Sequence, residues 1–245
     1  MAKQNGKPAA KAKIAVNAQV KFQVTEAYKS IRTNIMFSIA HKGCKKVVVS
    51  SSMENEGKST GAVNIAISLS QTEFRVLLID TDLRKPKIHM FFDMNSAPGL
   101  THALSGIKSL NEVVRHTSYT NLDVITAGAT PPNPSELLAS EAFEELMHTL
   151  EEEYDYIIVD TPPINVVSDA LPVIKRSDGV VLMVRAGMAT YLDLDKAIHN
   201  LQFIDAKILG LVLNGVDIRS KGYGVKSGYR KYGYGYGYGK SDTTD

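Results

Sequence analysis

VVVSSSMENEGKSTGAVNIAISL, residues 47–69, changes character twice within one short stretch. Three valines open it as a strand, a polar run with one glycine interrupts, and apolar residues then recur as they do on a helix. Ser52–Ser59 fits G-x-x-x-x-G-K-[ST], with serine standing in place of the first glycine. A phosphate loop requires curled backbone N–H groups, a glycine where a side chain would obstruct, a helix N-terminus, a lysine and a magnesium-binding hydroxyl. Gly57, Lys58 and Ser59, followed by Thr60, supply these parts in the strand–loop–helix setting that gives the pattern meaning.

Working outward, short β-branched runs alternate with helical segments. The runs are 47–51, 75–80, 122–127, 156–160, 179–184 and 208–214, and helices are expected at 58–71, 135–153 and 190–203. Several runs are apolar at consecutive positions, as strands covered on both faces are. The pattern predicts an α/β fold with a doubly wound, mostly parallel sheet and a site at the carboxyl ends of its strands. Two of those ends carry carboxylates. LLIDTDLRKP closes a strand with Asp80 and Asp82, and YIIVDTPP closes another with Asp160. Beside a phosphate loop such groups hold magnesium-bound water or accept a proton.

Ahead of this core, Ala27, Ile31, Ile35 and Ile39 recur at helical spacing, with Thr25 as the expected N-cap. The 245 residues are 44% apolar, enough for one substantial core. No stretch approaches the roughly 18 apolar residues of a membrane span, and a cytoplasmic protein is expected. The lone Cys44 reads as a small, partly buried hydrophobe, and the six histidines show no metal-ligand spacing. Charge is segregated. Residues 1–46 hold ten Lys/Arg against one acid, residues 219–245 hold six against two, and the part between holds twelve against twenty-three. Residues 1–20 are expected as a mobile basic arm, 21–218 as the phosphate-loop domain, and 219–245 as a disordered tail.

EAYKSIRTNI, SSSMENEGKST, LLIDTDLRKP, GLTHALSG, ITAGATPPNPSELL, YIIVDTPP and the terminal tyrosines occur together in this order. The set resembles the bacterial tyrosine kinases, in particular the kinase subunit of capsule and exopolysaccharide systems, from about Val24 to Asn214 plus the tail. The resemblance implies the fold of a P-loop NTPase of the partition-ATPase type, and no H-R-D or D-F-G signature is present. It implies nucleotide binding by Ser52, Glu56, Gly57, Lys58, Ser59, Thr60 and Asn214, the last reading adenine. It implies catalysis by Lys58, Asp80 and Asp82, and Mg²⁺ held by Ser59, Asp80, Asp82 and Asp160, partly through water. Asp80 is the carboxylate favoured as the group that deprotonates the acceptor. The cofactors implied are ATP and Mg²⁺.

The family also implies a homo-oligomeric ring, with Glu26, Lys29 and Arg32 at its interface, where lysine stands in the middle position that relatives fill with arginine. Other implied partners are a membrane-embedded polysaccharide co-polymerase that activates the kinase and recruits it to the inner face of the plasma membrane, and a phosphotyrosine phosphatase. No nucleic acid is expected. Glu54 stands where relatives often have proline.

Six of the eleven tyrosines, Tyr223, Tyr229, Tyr232, Tyr234, Tyr236 and Tyr238, crowd the Gly-rich end. Such a repeat has little reason to pack, since glycine is costly to order. With a phosphate loop in the same chain, the tyrosines read as phosphoacceptors. The 20 residues from Arg219 to Tyr238 span roughly 25 Å as a coil and at most about 70 Å, enough to reach a neighbouring subunit of about 45 Å. The alternative is an ATP-gated assembly switch that transfers phosphate mainly to water.

Overall fold

The structure is a computed structural model and describes residues 18–216; of the arm expected over 1–20 only 18–20 are described, as the start of a helix, and the tail expected over 219–245 lies outside the described residues. Along the chain run α1 (Ala18–Ser38), β1 (Lys45–Ser51), α2 (Lys58–Ser70), β2 (Val76–Asp80), α3 (Ile88–Phe91), α4 (Leu100–Leu104), α5 (Leu110–Val113), β3 (Val114–His116) and β4 (Leu122–Ile125). There follow α6 (Pro134–Ala139), α7 (Glu141–Glu151), β5 (Tyr156–Asp160), α8 (Ala170–Lys175), β6 (Gly179–Arg185), α9 (Tyr191–Phe203) and β7 (Ile208–Asn214).

The strands make one seven-stranded sheet in the order β3-β4-β2-β5-β1-β6-β7. All neighbours are parallel except β3 and β4. The apolar runs are continuous because both faces are covered: every residue of β2 and of β5 is buried. Side chains alternate between two cores. Val47, Val49, Val76, Leu78 and Ile158 join Ile35 and Ile39 of the α1 segment and Ala62, Ile65 and Leu69 of α2. Val48, Leu77, Ile79, Ile157 and Val159 join Phe143 and Leu150 of α7, Val173 of α8 and Leu201 of α9. Cys44 packs against this second core, and burial pushes its thiol up to about 12, so it is not a thiolate nucleophile at neutral pH.

β1 lies between β5 and β6, with β2 reached by stepping over β5. This is the point where strand order reverses, and it is where doubly wound sheets open a crevice at their carboxyl ends.

Two local expectations are corrected, and one strand was not foreseen. Thr25 is not an N-cap, because α1 already runs from Ala18 through good helix formers. The expected helix over 135–153 is two. Ser140 ends α6 and caps α7, its hydroxyl accepting the amide of Phe143 at 3.3 Å. The antiparallel edge strand β3 is only three residues long, too short to carry an alternation.

Candidate active site

The loop between β1 and α2 is turned by two residues in the left-handed region, Asn55 (φ 64°) and Gly57 (φ 95°). Gly57 is also required by space, because a Cβ there would sit 2.2 Å from Nδ2 of Asn214. That same Nδ2 donates to the carbonyl of Glu56 at 3.0 Å, so Asn214, at the end of β7, touches the loop the sequence assigns to phosphate. No side chain caps the N-terminus of the 13-residue α2, whose first-turn N–H groups face the loop.

Ser52, which replaces the first glycine of the motif, has its own task. Its Oγ donates to Oε2 of the fully buried Glu56 at 2.9 Å, and the amide of Met53 donates to the same oxygen at 2.8 Å. Here Glu56 shapes the loop from inside. The loop is also stitched to the segment after β5: the amides of Ile164 and Asn165 donate to the carbonyls of Ser51 and Ser52 at 2.9 and 3.2 Å.

The strand register sets Asp80 directly opposite Asp160. Asp80 is fully buried, and both its oxygens accept backbone amides, from Asp82 at 3.1 Å and from Lys87 and Ile88 at 3.1 and 3.0 Å. It thereby holds the loop after β2. Burial, and then the neighbouring Asp160, raise its pKa well above the usual carboxylate range. Asp160 is fully buried; neither oxygen makes a well-formed hydrogen bond, and the groups that favour its charge are Lys58 and the hydroxyl of Ser59. Burial lifts its pKa to about 6 against the opposing pull of Lys58. Asp82 accepts Lys58 Nζ at 2.7 Å and the Lys85 amide at 3.0 Å. Burial by itself would lower the pKa of Lys58, but Asp160, Asp82 and Asp80 outweigh it and raise the ammonium's pKa. One buried cation thus faces three buried carboxylates.

Among the described residues no group of three or more His, Cys, Asp or Glu side chains converges as a complete metal cage. Magnesium keeps several waters and takes one or two carboxylates beside phosphate oxygens. Asp160, which lacks a well-formed hydrogen bond, and the buried Ser59 beside Lys58 on α2 are the groups such an ion would join.

Two cavities meet at Asn55, Lys58 and Lys87. The first, about 200 Å³, is lined by Gly57, Ser59, Thr60, Phe91 and Arg185. The second runs between Asp82 and the Pro162–Val167 segment. The sequence reading missed the cationic rim of Arg84, Lys85, Lys87 and Arg185, although LRKPK directly after the DTD carboxylates signals three of the four. Arg84 makes a forked ion pair with the buried Asp169 at 2.6 and 3.1 Å, and Lys85 reaches Glu54 at 2.8 Å. A larger cavity, about 670 Å³, lies far from these carboxylates along the solvent face of α7.

The residues expected at an oligomer interface all lie on α1. Glu26 and Lys29 are exposed and paired with each other at 2.8 Å, whereas Arg32 is half-buried and donates to the Ser68 carbonyl in the last turn of α2 at 2.7 Å. The six tail tyrosines lie outside the described residues. No helix among the described residues is long and apolar enough to cross a membrane.

Residues 44–209 match the family model described as an AAA domain. The chain is 37% identical over 203 residues to the putative tyrosine-protein kinase CapB of Staphylococcus aureus, covering 83% of this chain and 89% of CapB. It is 40% identical over 191 residues to the tyrosine-protein kinase YwqD of Bacillus subtilis, covering 78% and 81% of the two chains. The kinase domain of the Escherichia coli tyrosine kinase ETK superposes with a TM-score of 0.77 at 33% identity, over 80% of this chain and 77% of that one. A plasmid partition protein from Borrelia burgdorferi, at 23% identity and a TM-score of 0.58 over 71% of this chain and 83% of its own, shares the fold alone. The chain therefore belongs to the bacterial tyrosine kinases built on an AAA-domain P-loop core and is a protein-tyrosine kinase.

Proposed function

We propose that this kinase uses ATP and Mg²⁺ to phosphorylate its own C-terminal cluster, Tyr223, Tyr229, Tyr232, Tyr234, Tyr236 and Tyr238. In this reading transfer runs in trans within a ring-shaped oligomer whose interface includes Glu26, Lys29 and Arg32. The protein acts in capsular or exopolysaccharide synthesis, is held at the membrane by an activating membrane partner, and is reset by a phosphatase. The observation that carries the catalytic part is the buried meeting of Lys58 with Asp80, Asp82 and Asp160 at the N-terminus of α2.

The nucleotide's phosphates fit against the open first-turn amides of α2, with Lys58, Ser59 and Thr60 around them. Ser59 and Asp160 would hold magnesium, directly or through water; the ion, when bound, neutralises charge on the transferring phosphoryl group. For Lys58 to reach a phosphate, its pair with Asp82 must loosen, and that frees the Asp82 carboxylate as it happens. The acceptor's phenol oxygen forms a bond to the γ-phosphorus, the bond to the β–γ bridging oxygen breaks, and ADP leaves. The phenolic proton passes to a carboxylate. Asp82 takes it in this reading, because both oxygens of Asp80, the carboxylate favoured from sequence, are engaged by backbone amides. Asp80 then acts by keeping Asp82 and its loop in place.

The test is Lys58→Met in the full chain, incubated with Mg-ATP and followed by phosphopeptide mass spectrometry of the tail. Tail phosphorylation is expected to drop by about 1,000-fold with a native far-UV circular dichroism spectrum. Wild-type levels of phosphotyrosine in that variant would remove the site assignment. Phosphate release without phosphotyrosine in the unmodified chain would favour the assembly switch.

A further inference from the structure

Arg185 closes β6 beside Asn214, which closes β7, and the strand register pairs the two residues. Both side chains reach back over the phosphate loop. Arg185 Nη1 donates to the carbonyl of Asn55 at 3.2 Å, and Asn214 Nδ2 donates to the carbonyl of Glu56 at 3.0 Å. Two adjoining strand ends thus hold two successive carbonyls. Two earlier carbonyls are held from the other side of β1, where the amides of Ile164 and Asn165, after β5, donate to Ser51 and Ser52.

Within a trans peptide the C=O and the next N–H point in opposite directions. Drawing the Asn55 and Glu56 carbonyls toward β6 and β7 therefore turns the amides of Glu56 and Gly57 the other way, to the concave side of the loop. Successive amides turned to one side are what a phosphate group requires. We infer that Arg185 is a positioning residue for the nucleotide: together with Asn214 it fixes the direction of the Glu56 and Gly57 amides before ATP arrives. The inference rests on the nucleotide reading of the loop above and adds a residue outside the motif, 130 positions from the carbonyl it holds.

The loop needs such a clamp because its shape is not one the chain adopts freely. Asn55 holds φ at 64°, a region few residues with side chains occupy, so the Asn55–Glu56 peptide has other orientations to fall into once its carbonyl is released. The donor that holds it is charged, and hydrogen bonds from charged groups are the stronger kind. Arg185 is exposed and also lines the cavity of about 200 Å³ with Gly57, Ser59 and Thr60, so the test must separate the clamp from direct contact with the nucleotide's charge. It is the residue to change, because Asn214 also fills the space beside Gly57 and is implied at adenine.

The experiment uses the full chain and three measurements: Mg-ADP affinity by calorimetry, kinetics of tail phosphorylation against ATP, and hydrogen exchange of the nucleotide-free protein read by mass spectrometry. Two amides report on the loop: Met53, held by the Glu56 carboxylate, and Gly61, held by the Gly57 carbonyl, each at 2.8 Å. Arg185→Met is expected to weaken Mg-ADP about 10-fold and to raise KM for ATP by a similar factor, as loss of one charge-assisted hydrogen bond does. The fall in kcat should stay below about threefold, because amides at a bound phosphate serve ground state and transition state alike. Exchange over residues 53–61 should become several-fold faster while exchange in β5 is unchanged. Arg185→Lys, whose ammonium can still donate to the carbonyl, should stay within about threefold of the unmodified chain in all three. Weaker binding without faster exchange would mean that Arg185 acts on the nucleotide's charge directly, and the clamp is then wrong. Faster exchange without weaker binding, or a lysine variant as impaired as the methionine one, also counts against it. If the unmodified chain does not bind Mg-ADP, the nucleotide reading and the clamp fall together; binding that Arg185→Met leaves intact removes the clamp alone.

Discussion

The two edges of the central sheet treat charge in opposite ways, partly exposed at one and buried at the other. At the amino ends of the strands, charged groups are matched. Lys46 Nζ meets Glu151 at 2.5 Å, Asp178 accepts the Lys46 amide at 2.7 Å, and Asp155 accepts the Arg75 amide at 2.8 Å. Asp123 bridges Tyr154 and His116 at 2.8 and 2.6 Å. At the carboxyl ends, one lysine serves three carboxylates, neither oxygen of Asp160 has a well-formed hydrogen bond, and one oxygen of Glu56 has none. A buried carboxylate without well-formed hydrogen bonds is costly to fold around. The difference teaches that the carboxyl edge is arranged for charge brought by a ligand, while the amino edge is arranged for stability.

Asp160→Asn breaks the comparison most sharply. It removes the buried carboxylate and with it the favoured magnesium position, so phosphorylation is expected to fall at least about 100-fold, while the melting temperature without nucleotide rises on the order of 5 °C. A variant with lowered stability in differential scanning calorimetry would show that Asp160 is satisfied in a way its geometry does not display.

The pH dependence sharpens it next. The pKa of Asp160 is raised from 3.8 to about 6, so the folded state binds this proton more tightly than the unfolded chain does. Its contribution to stability is therefore present below about 4, is lost as pH rises through 6, and is flat above. Magnesium needs the ionised form, so apparent Mg²⁺ affinity should weaken as pH falls below 6. Titration of Mg²⁺ at pH 5 and 8 is expected to differ several-fold for the unmodified chain, and the difference attributable to this group should vanish in Asp160→Asn.

The smallest effect belongs to the other edge. Lys46→Met removes one partner of a partly exposed pair and should lower the melting temperature by about 2–4 °C with kinase activity within twofold. Loss of activity there would mean that the two edges are coupled through β1.

Much of the site was legible before any coordinates. Lys58, Ser59, Asp80, Asp82 and Asp160 share a strand–loop–helix grammar, and their fixed offsets from strand ends place them on one edge of a parallel sheet. What stayed hidden depends on partners distant in sequence. The Arg84–Asp169 fork spans 85 positions and the Lys85–Glu54 pair spans 31. Helical spacing likewise cannot show that α2 offers Arg32 a carbonyl. The split of the 135–153 helix turned on whether Ser140 would cap or continue, a choice that local propensity leaves nearly even.

The sequence by itself determined the alternation of strands and helices, the phosphate loop and the carboxylates at the strand ends, because periodicity and short motifs are properties of neighbouring residues. Tertiary structure alone decided how each carboxylate differs. Asp80 is tied by amides, Asp82 is paired with Lys58, and Asp160 lacks a well-formed hydrogen bond. Three aspartates of identical chemistry acquire different surroundings because burial and partners, not residue type, set the free energy of a charge.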